Sequence, residues 1–303
     1  MIAVQLSGGM GNQMFQYAAG RALAMRHDAE LILDSSWIEG RGGGVVTEAR
    51  RYELGCFALD ATLTPLGRVA RVGHSRFPSR RKRLSELVEP QFGQPCPALR
   101  QAPDNTYLRG YWQNTTYFAD AEVLLREDFT FRAASGERVP DSPLPRVSMH
   151  VRRGDYVSDS GVHSRMGTLE PDYYRRSTEL IRSRVGDVQL LIVTDDPAWC
   201  GRHLRPLGNA TLIAATRAES ARWASIMQLM ASCDHHVLAN SSFSWWAAWL
   251  SRNATKIVVA PRPWVLDSRW DDDHRIPHDW IRIDRDPHQA DQPPSTTMFA
   301  PVT

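Results

Sequence analysis

The second half of the chain alternates short apolar runs with amphipathic stretches. The runs VSMHV, VQLLIVT, TLIAA, HHVLANS and KIVVAP have the length of β-strands. Between them, PDYYRRSTELIRSRV, PAWCGRHL, SARWASIMQLMASC and FSWWAAWLSR have apolar residues at helical spacing. Strand-length apolar runs separated by amphipathic helices are typical of a parallel sheet covered on both faces. The pattern therefore predicts a doubly wound α/β domain.

The first half opens with a predicted β-loop-α-β unit. Strand AVQL is followed by the glycine-rich turn SGGMGNQ, the helix FQYAAGRALAMRHD and the strand ELILD. The sequence then becomes less regular, because GRGGG and five prolines between Pro78 and Pro103 interrupt any long element. The Pro-rich VPDSPLPR is typical of a connector, so we predict domains over 1–140 and 147–285. The polar residues 286–303 are predicted to form a mobile tail.

Composition and charge indicate a globular protein with no polyanionic partner. A chain of 303 residues is too long to form one small hydrophobic core. Its 36 Lys and Arg residues and 34 Asp and Glu residues give a net charge of +2. A local basic cluster extends from Arg76 to Arg83, and such a run is usually a solvated surface. The alternative is weak contact with an anionic membrane surface, whereas the near-neutral overall charge argues against nucleic acid binding.

The cysteines and the apolar segments indicate a cytoplasmic protein. The start MIAVQLSGGMGNQ lacks the features of a secretory signal, and no run reaches the roughly 18 to 20 apolar residues that span a bilayer. The four cysteines lie far apart without CxxC spacing: Cys56, Cys96, Cys200 and Cys233. We therefore expect reduced, buried thiols in the cytoplasm, and at most peripheral contact with the inner face of the membrane.

Polar residues follow three of the predicted strands in the second half. Ligands of open parallel sheets bind beyond the carboxyl ends of the strands, so these residues are predicted to converge on one edge. The three clusters are His150, Arg152, Arg153 and Asp155; Thr194, Asp195 and Asp196; and Asn240, Ser241, Ser242 and Ser244.

These residue types indicate a site for a nucleoside diphosphate. Adjacent arginines offer forked donors to phosphate oxygens, although a surface salt bridge from Arg153 to an acid such as Asp155 is an alternative. The serines of NSSFSWW and the backbone N–H groups at a helix start form a potential anion site. Carboxylates of TDDP can accept from guanine or ribose donors, although Asp196 before Pro197 is equally suited to cap a helix.

Three further features have open interpretations. The tryptophans of FSWWAAWL have helical spacing, so most should pack onto the sheet, and we expect only Trp245 to face a ligand. The turn SGGMGNQ resembles a phosphate loop but is neither GxGxxG nor a Walker sequence, so by itself it is a weak signal for a tight turn. Asn12 and Gln13 could still reach from it towards a sugar or phosphate. Asp271 and Asp273 form a DxD pattern that could hold a divalent cation, but we expect a metal-free site.

The chain resembles the bacterial α-1,2-fucosyltransferases that use GDP-fucose. Four blocks carry the resemblance: GGMGNQMFQYAAGRALA, LRGYWQNTTYF, HVRRGDY and LANSSFSWWAAWL, with VTDDPAWC between the last two. The resemblance implies an α/β glycosyltransferase B fold, with two Rossmann-like domains facing across a cleft. It implies that the N-terminal domain binds the acceptor and the C-terminal domain binds GDP-fucose, and that transfer is inverting and metal-independent.

The resemblance also implies roles for individual residues. Arg152 would hold the β-phosphate, His150 and the TDDP carboxylates Asp195 and Asp196 would bind guanosine, and Asn12 would lie near the donor sugar and phosphate. The SSFS turn would bind the diphosphate. Asp155 would either take the acceptor proton or orient an arginine. Arg153 and Trp245 complete the predicted donor site.

The expected acceptor is a galactose-ended oligosaccharide or lipid-linked glycan of a surface polysaccharide. Other interpretations are a transferase with GDP-mannose or a different linkage, and a non-catalytic glycan or nucleotide-sugar binding protein. The chain departs from the family after HVRRGDY, where a longer segment leaves His163 without an assigned role. Thr194 stands where the family has a serine, which keeps the hydroxyl.

Overall fold

A computed structural model describes residues 1–40, 51–66, 84–90, 95–137, 139, 141–215, 220–267 and 274–285. Three predicted features lie outside these described residues: the basic cluster from Arg76 to Arg83, the pair Asp271 and Asp273, and the tail over 286–303. Among the residues that are described, no helix combines the length and the apolar character needed to cross a bilayer.

The first half forms a parallel five-stranded sheet. Its order is β3-β2-β1-β5-β4, and the central β1 pairs in register with β2 and β5. The strands are β1 (Ile2–Gln5), β2 (Leu31–Asp34), β3 (Thr62–Thr64), β4 (Ser85–Val88) and β5 (Thr106–Arg109). The helices are α1 (Met10–His27), α2 (Pro97–Gln101) and α3 (Glu122–Asp128), with 3-10 turns at Leu54–Cys56, Thr115–Tyr117 and Ala119–Ala121.

The second half forms a parallel six-stranded sheet in the order β11-β10-β9-β6-β7-β8. Its strands are β6 (Arg146–Val151), β7 (Gln189–Thr194), β8 (Ala210–Ala214), β9 (His235–Val237), β10 (Val258–Arg262) and β11 (Ile281–Asp284). Its helices are α4 (Gly154–Ser158), α5 (Ser160–Met166), α6 (Pro171–Val185), α7 (Pro197–His203), α8 (Ser220–Ala231) and α9 (Ser242–Leu250), with a 3-10 turn at Arg205–Leu207.

Local chemistry explains where several of these helices begin and end. Helices α6 and α7 both begin with a proline, whose fixed φ suits the first helical position. Helix α6 ends at Gly186, which has a φ of 81° that glycine adopts without steric cost. Strand β6 is buried along almost its whole length, because helices cover both faces of a parallel sheet. The predicted α/β class with two Rossmann-like units is confirmed.

The two halves share one apolar core. A single cluster of buried residues contains Phe15 and Phe118 from the first half and Trp245 and Trp246 from the second. Phe15 lies 4.7 Å from Trp245 and 4.9 Å from Trp246 between ring centroids. Two halves joined only by a connector can move relative to each other, and a shared apolar interface of this kind restricts that movement. The exact domain boundaries stay a prediction.

Candidate active site

The three polar clusters predicted from the sequence meet at the carboxyl edge of the second sheet. Arg152 Nη1 lies 2.7 Å from Asp195 Oδ2, which joins the segment after β6 to the segment after β7. The Tyr156 hydroxyl donates to the Asn240 carbonyl at 3.0 Å, which joins α4 to the turn before α9. The predicted convergence is therefore present, because neighbouring parallel strands end at the same edge.

Arg152 is held between two carboxylates. Its Nη2 donates to Asp155 Oδ1 at 2.7 Å, its Nη1 faces Asp195, and only 16% of the side chain is exposed. The guanidinium also lies 5.6 Å from the centroid of the Tyr156 ring. Two carboxylates fix a planar fork far better than one, so the guanidinium is oriented before any ligand binds.

Arg153 has a different set of partners. Its backbone N–H donates to Asp195 Oδ1 at 2.8 Å, and its Nε lies 3.3 Å from Asp196 Oδ2. Its guanidinium carbon lies 4.3 Å from the centroid of the Trp199 ring. The alternative of a salt bridge from Arg153 to an acid is confirmed, but the acid is Asp196, because Asp155 pairs with Arg152.

Asp195 reaches both arginines because Gly154 has no side chain. A Cβ at Gly154 would lie only 2.7 Å from Asp195 Oδ2. Asp196 caps α7 by accepting from the Trp199 backbone N–H at 2.9 Å, which is the capping alternative considered above. Its other oxygen engages Arg153. Both carboxylates therefore organise the arginines, and their contact with guanosine stays a prediction.

His150 is a buried, neutral imidazole beside these ions. Burial lowers the pKa of His150 to about 4; the nearby Asp195 opposes this effect and Arg152 adds to it. Its Nδ1 has no hydrogen-bond partner within the part of the chain that the structure describes. The ring centroid lies 5.8 Å from that of Phe243 on α9. A buried polar atom of this kind is suited to receive a ligand, since leaving it unpaired costs free energy.

The serines differ in what they do at the start of α9. Ser241 caps the helix and accepts from the Phe243 backbone N–H at 3.4 Å. The Ser244 hydroxyl is completely buried and donates to the carbonyls of Ala239 and Ser241, so it shapes the turn. Only Ser242 directs its hydroxyl towards the other half of the chain. The predicted direct contact of the Ser244 hydroxyl with a ligand does not agree with this burial.

Trp245 does not face a ligand. Its side chain is completely buried, and its Nε1 donates to the Arg275 carbonyl at 2.9 Å. Its ring packs against Phe15 and against Trp280, whose centroid lies 5.3 Å away. The expectation for Trp245 is corrected, because α1 from the other half covers the first turn of α9.

Asn12 is the point at which the first half touches the candidate site. Its Oδ1 accepts from Ser242 Oγ at 2.7 Å and from Gln113 Nε2 at 2.8 Å. Neighbouring Gly11 packs directly on α9, since a Cβ there would lie 2.5 Å from the Ser242 carbonyl carbon. With both bonds made to the side-chain oxygen, the Asn12 amide nitrogen remains the donor group that can serve a ligand.

The glycine-rich turn is not a phosphate loop. The Glu53 carboxylate occupies the start of α1, where its Oε2 accepts from the Met10 backbone N–H at 2.5 Å. Gln13 is completely buried, donates to the Gly8 and Arg51 carbonyls, and accepts from the Glu53 backbone N–H. A carboxylate at a helix N-terminus takes the position that a phosphate would need. Gln13 therefore supports the turn.

Neither a cysteine nor a metal-binding cluster adds to the site in the described part of the chain. Cys96, Cys200 and Cys233 are buried, Cys56 is half-buried, and burial raises the pKa of the Cys56 and Cys200 thiols to about 11. Within the described ranges, no group of three or more His, Cys, Asp or Glu residues could hold a metal ion. Since Asp271 and Asp273 lie outside those ranges, a metal-free site stays a prediction.

Three functional residues were missing from the prediction. Gln113 and Tyr156 lie inside the quoted blocks LRGYWQNTTYF and HVRRGDY, so their position in those blocks was a usable signal. Nothing in the sequence indicated the role of Glu53, because a single carboxylate in an irregular segment does not show that it caps a distant helix.

The chain is similar in sequence to known glycosyltransferases. The model of the family "Glycosyl transferase family 11" matches residues 91–284. An α-1,2-colitosyltransferase of Escherichia coli is 28% identical over 94% of this chain and 99% of its own length. Galactoside 2-α-L-fucosyltransferase SEC1 of Bos taurus is 25% identical over 84% of this chain and 66% of its own. The solved structure of fucosyltransferase NodZ from Bradyrhizobium has a TM-score of 0.45 at 16% identity, over 82% of this chain and 92% of that one.

Proposed function

The chain belongs to glycosyl transferase family 11, and on that premise we propose that it transfers L-fucose from GDP-fucose to the 2-hydroxyl of a galactose-ended glycan. The transfer inverts the configuration at the sugar carbon and needs no metal ion. The observation that carries the proposal is Arg152, which Asp155 and Asp195 fix at the edge where α9 also begins.

Arg152 stabilises the leaving group. As the acceptor oxygen attacks the sugar carbon, the bond from that carbon to the β-phosphate oxygen breaks, its electron pair moves onto GDP, and the proton of the acceptor hydroxyl passes to water. A donor aimed at charge that develops in the transition state is worth about 2.7 to 4 kcal/mol. Asp155 and Asp195 keep the guanidinium in place, so little reorganisation is needed when the bond breaks. Arg153 and the backbone N–H groups at the start of α9 share the remaining negative charge.

His150 and Asp196 recognise the nucleoside. The neutral His150 ring can exchange a hydrogen bond through Nδ1, and the Asp196 carboxylate, whose side chain is 34% exposed, can accept from guanine or ribose. Asn12 then presents its amide nitrogen to the sugar or phosphate from the opposite side of the site. These groups hold the donor so that the acceptor hydroxyl attacks in line.

Transfer without a metal is proposed from the donor groups at the site. The guanidinium groups of Arg152 and Arg153 and the backbone N–H groups at the start of α9 can donate to the diphosphate oxygens that a divalent cation would otherwise bind. Asp155 acts on the reaction through Arg152. The acceptor is a galactose-ended oligosaccharide or lipid-linked glycan at the inner face of the membrane, where the basic cluster from Arg76 to Arg83 would provide weak contact.

A second candidate is transfer of colitose, the 3-deoxy analogue of L-fucose. It is favoured by the relative from Escherichia coli, which matches nearly the whole chain and is named for colitose. The two donors differ only at the sugar 3-position, so the phosphate and guanosine contacts above would serve either one. GDP-mannose is a further rival donor.

A GDP-release assay tests the proposal. The protein is supplied with GDP-fucose, GDP-colitose or GDP-mannose and a panel of galactose-ended acceptors, in EDTA. Acceptor-dependent release from GDP-fucose that is lost in Arg152→Ala supports it. The matched control is Arg175→Ala on the exposed face of α6, where the arginine pairs with Asp172 and Glu179. Release that requires a divalent cation would contradict the metal-free account and make Asp271 and Asp273 candidate ligands.

A further inference from the structure

Tyr111 is an exposed aromatic side chain beside the candidate site. Its side chain is 38% exposed, whereas the other large hydrophobic side chains exposed to this degree in the described part of the chain are aliphatic. The aromatic rings near it, including those of Trp112 and Tyr117, are buried. An exposed aromatic ring has an apolar face and a polar hydroxyl, which is the chemistry that suits a partly apolar, partly hydrated ligand.

The position of Tyr111 relates it to the acceptor side of the site. It follows β5, whose carboxyl end lies at the same edge of the first sheet as the glycine-rich turn after β1. Two residues later, Gln113 donates to Asn12 Oδ1, and Asn12 accepts from Ser242 at the start of α9. The turn over 110–113 therefore borders the point where the two halves meet.

The backbone around Tyr111 is fixed by Glu89. Glu89 Oε2 accepts from the Tyr111 N–H at 2.7 Å and from the Trp112 N–H at 3.2 Å. Gly110 allows this approach, since a Cβ there would lie 2.4 Å from the Glu89 side chain. Trp112 has a φ of 56°, which is uncommon for a bulky residue and is maintained by burial of its ring. The turn thus buries Trp112 and leaves the neighbouring Tyr111 partly exposed.

We propose that Tyr111 is the platform on which the terminal hexose of the acceptor stacks, and that Glu89 positions it. A hexose has C–H bonds on one face and hydroxyls around its edge, so it can pack on the ring while its 2-hydroxyl points to the donor sugar. Asn12 is hydrogen-bonded to Gln113 of the same turn and to Ser242 at the start of α9. It therefore connects the part of the site that would hold the acceptor to the part that would hold the donor. This inference rests on the proposed function and identifies its acceptor subsite.

Steady-state kinetics of Tyr111→Ala and Tyr111→Phe test the platform. Tyr111→Ala should raise the acceptor KM by about tenfold, because a stacking surface and its burial are lost. The KM for GDP-fucose and the acceptor-independent hydrolysis of GDP-fucose should stay unchanged. Tyr111→Phe keeps the ring and should retain the acceptor KM. The control Leu212→Ala removes a similarly exposed apolar side chain on β8, 43% exposed, and should change nothing.

A second pair of variants distinguishes positioning of Tyr111 by Glu89 from a general structural role of Glu89. Glu89→Gln keeps a side-chain oxygen for the two backbone N–H groups and should retain the acceptor KM. Glu89→Ala removes that oxygen and should raise the acceptor KM without changing the KM for GDP-fucose. Equal rises in both KM values for Glu89→Ala would show general damage and contradict a positioning role.

The activity of the wild type and the kinetics of Tyr111→Ala show separately whether the fucosyl transfer or the Tyr111 platform is wrong. If the wild type transfers fucose and Tyr111→Ala leaves the acceptor KM unchanged, the platform is wrong and the function stands. If the wild type does not turn over GDP-fucose, the function is wrong. Saturation-transfer NMR with lactose as the probe then still tests the platform: wild-type contact that is lost in Tyr111→Ala supports it, and equal contact in both overturns it.

Discussion

The Ser242 hydroxyl donates to Asn12 Oδ1 at 2.7 Å, although 230 residues separate the two in sequence. Ser242 begins the helix that is proposed to face the diphosphate, and Asn12 lies in the first turn of the first helix of the chain. This hydrogen bond therefore joins the first half of the chain to the second half at the candidate site itself. The geometry of each half depends on the other.

A double-mutant cycle measures this link. Asn12→Ala and Ser242→Ala should each lower the free energy of unfolding, and the two effects should not add. The expected coupling is about 0.5 to 1.5 kcal/mol, the net contribution of a typical hydrogen bond. Chemical denaturation of the wild type, both single variants and the double variant gives the value. Strict additivity would show that the contact contributes nothing in solution.

Gly11→Ala should disturb the junction sterically. The added Cβ would lie 2.5 Å from the Ser242 carbonyl carbon, and backbone cannot move away as a flexible side chain can. Overpacking of this kind costs about 1 to 3 kcal/mol, and GDP release should fall with it. The matched control is Gly201→Ala in α7, which has open space and should gain up to about 1 kcal/mol from helix propensity. Equal stability of the two variants, read by thermal unfolding, would contradict the close approach.

Arg152→Lys should not restore the activity lost in Arg152→Ala. A lysine keeps the positive charge but cannot engage Asp155 and Asp195 with two separate nitrogens while facing a phosphate. Loss of such an oriented donor corresponds to a fall in kcat of about 100 to 1,000-fold. The measurement is GDP release at saturating donor and acceptor. A lysine variant close to the wild type would mean that charge alone is sufficient.

The Asp155→Asn variant distinguishes two roles of Asp155, which are to orient Arg152 or to take the proton of the acceptor hydroxyl as a general base. Because Asp155 Oδ1 accepts from Arg152 Nη2, its loss should slow departure of GDP in every reaction, including hydrolysis of GDP-fucose without acceptor. A base that takes the acceptor proton would be needed only for transfer. We therefore expect transfer and hydrolysis to fall by the same factor. A selective loss of transfer would instead assign Asp155 as the base.

His150 should make the protein less stable in weak acid. Its pKa is about 4 in the folded state and about 6.5 when unfolded, so the unfolded chain binds the proton more readily. The stabilising difference is complete above pH 6.5 and is lost as the pH falls towards 4, by about 2 kcal/mol between pH 7 and pH 5. His150→Gln should flatten this part of the unfolding profile. A profile with the same slope in both proteins would contradict a neutral buried imidazole.

Much of the second half could be predicted from its sequence. Strands β6 and β7 are buried on both faces, so they appear as continuous apolar runs, and parallel pairing then brings Arg152 and Asp195 to one edge. Helical spacing correctly placed Trp245 on α9 but could not show which element covers its first turn. The answer is Phe15, from a helix more than two hundred residues earlier. Contacts between the two halves leave no repeating pattern of apolar residues in the sequence, so sequence periodicity could not predict them.

The first half was harder for a related reason. Strands β3 and β4 are short and largely exposed, so they lack the apolar pattern that identifies a buried strand. The glycine-rich turn matched no phosphate-loop motif, and the sequence did not show that the Glu53 carboxylate lies at the start of α1. That carboxylate lies in an irregular segment whose partner no sequence motif indicates.

The most direct test of the central claim is the structure of the product. Wild-type protein is incubated with GDP-fucose, lactose and EDTA, and the purified trisaccharide is analysed by two-dimensional proton and carbon NMR. The account predicts an α-L-fucosyl residue attached to carbon 2 of galactose, formed by inversion of the β-linked donor. A β-linked fucose, or attachment to any other carbon, would contradict it.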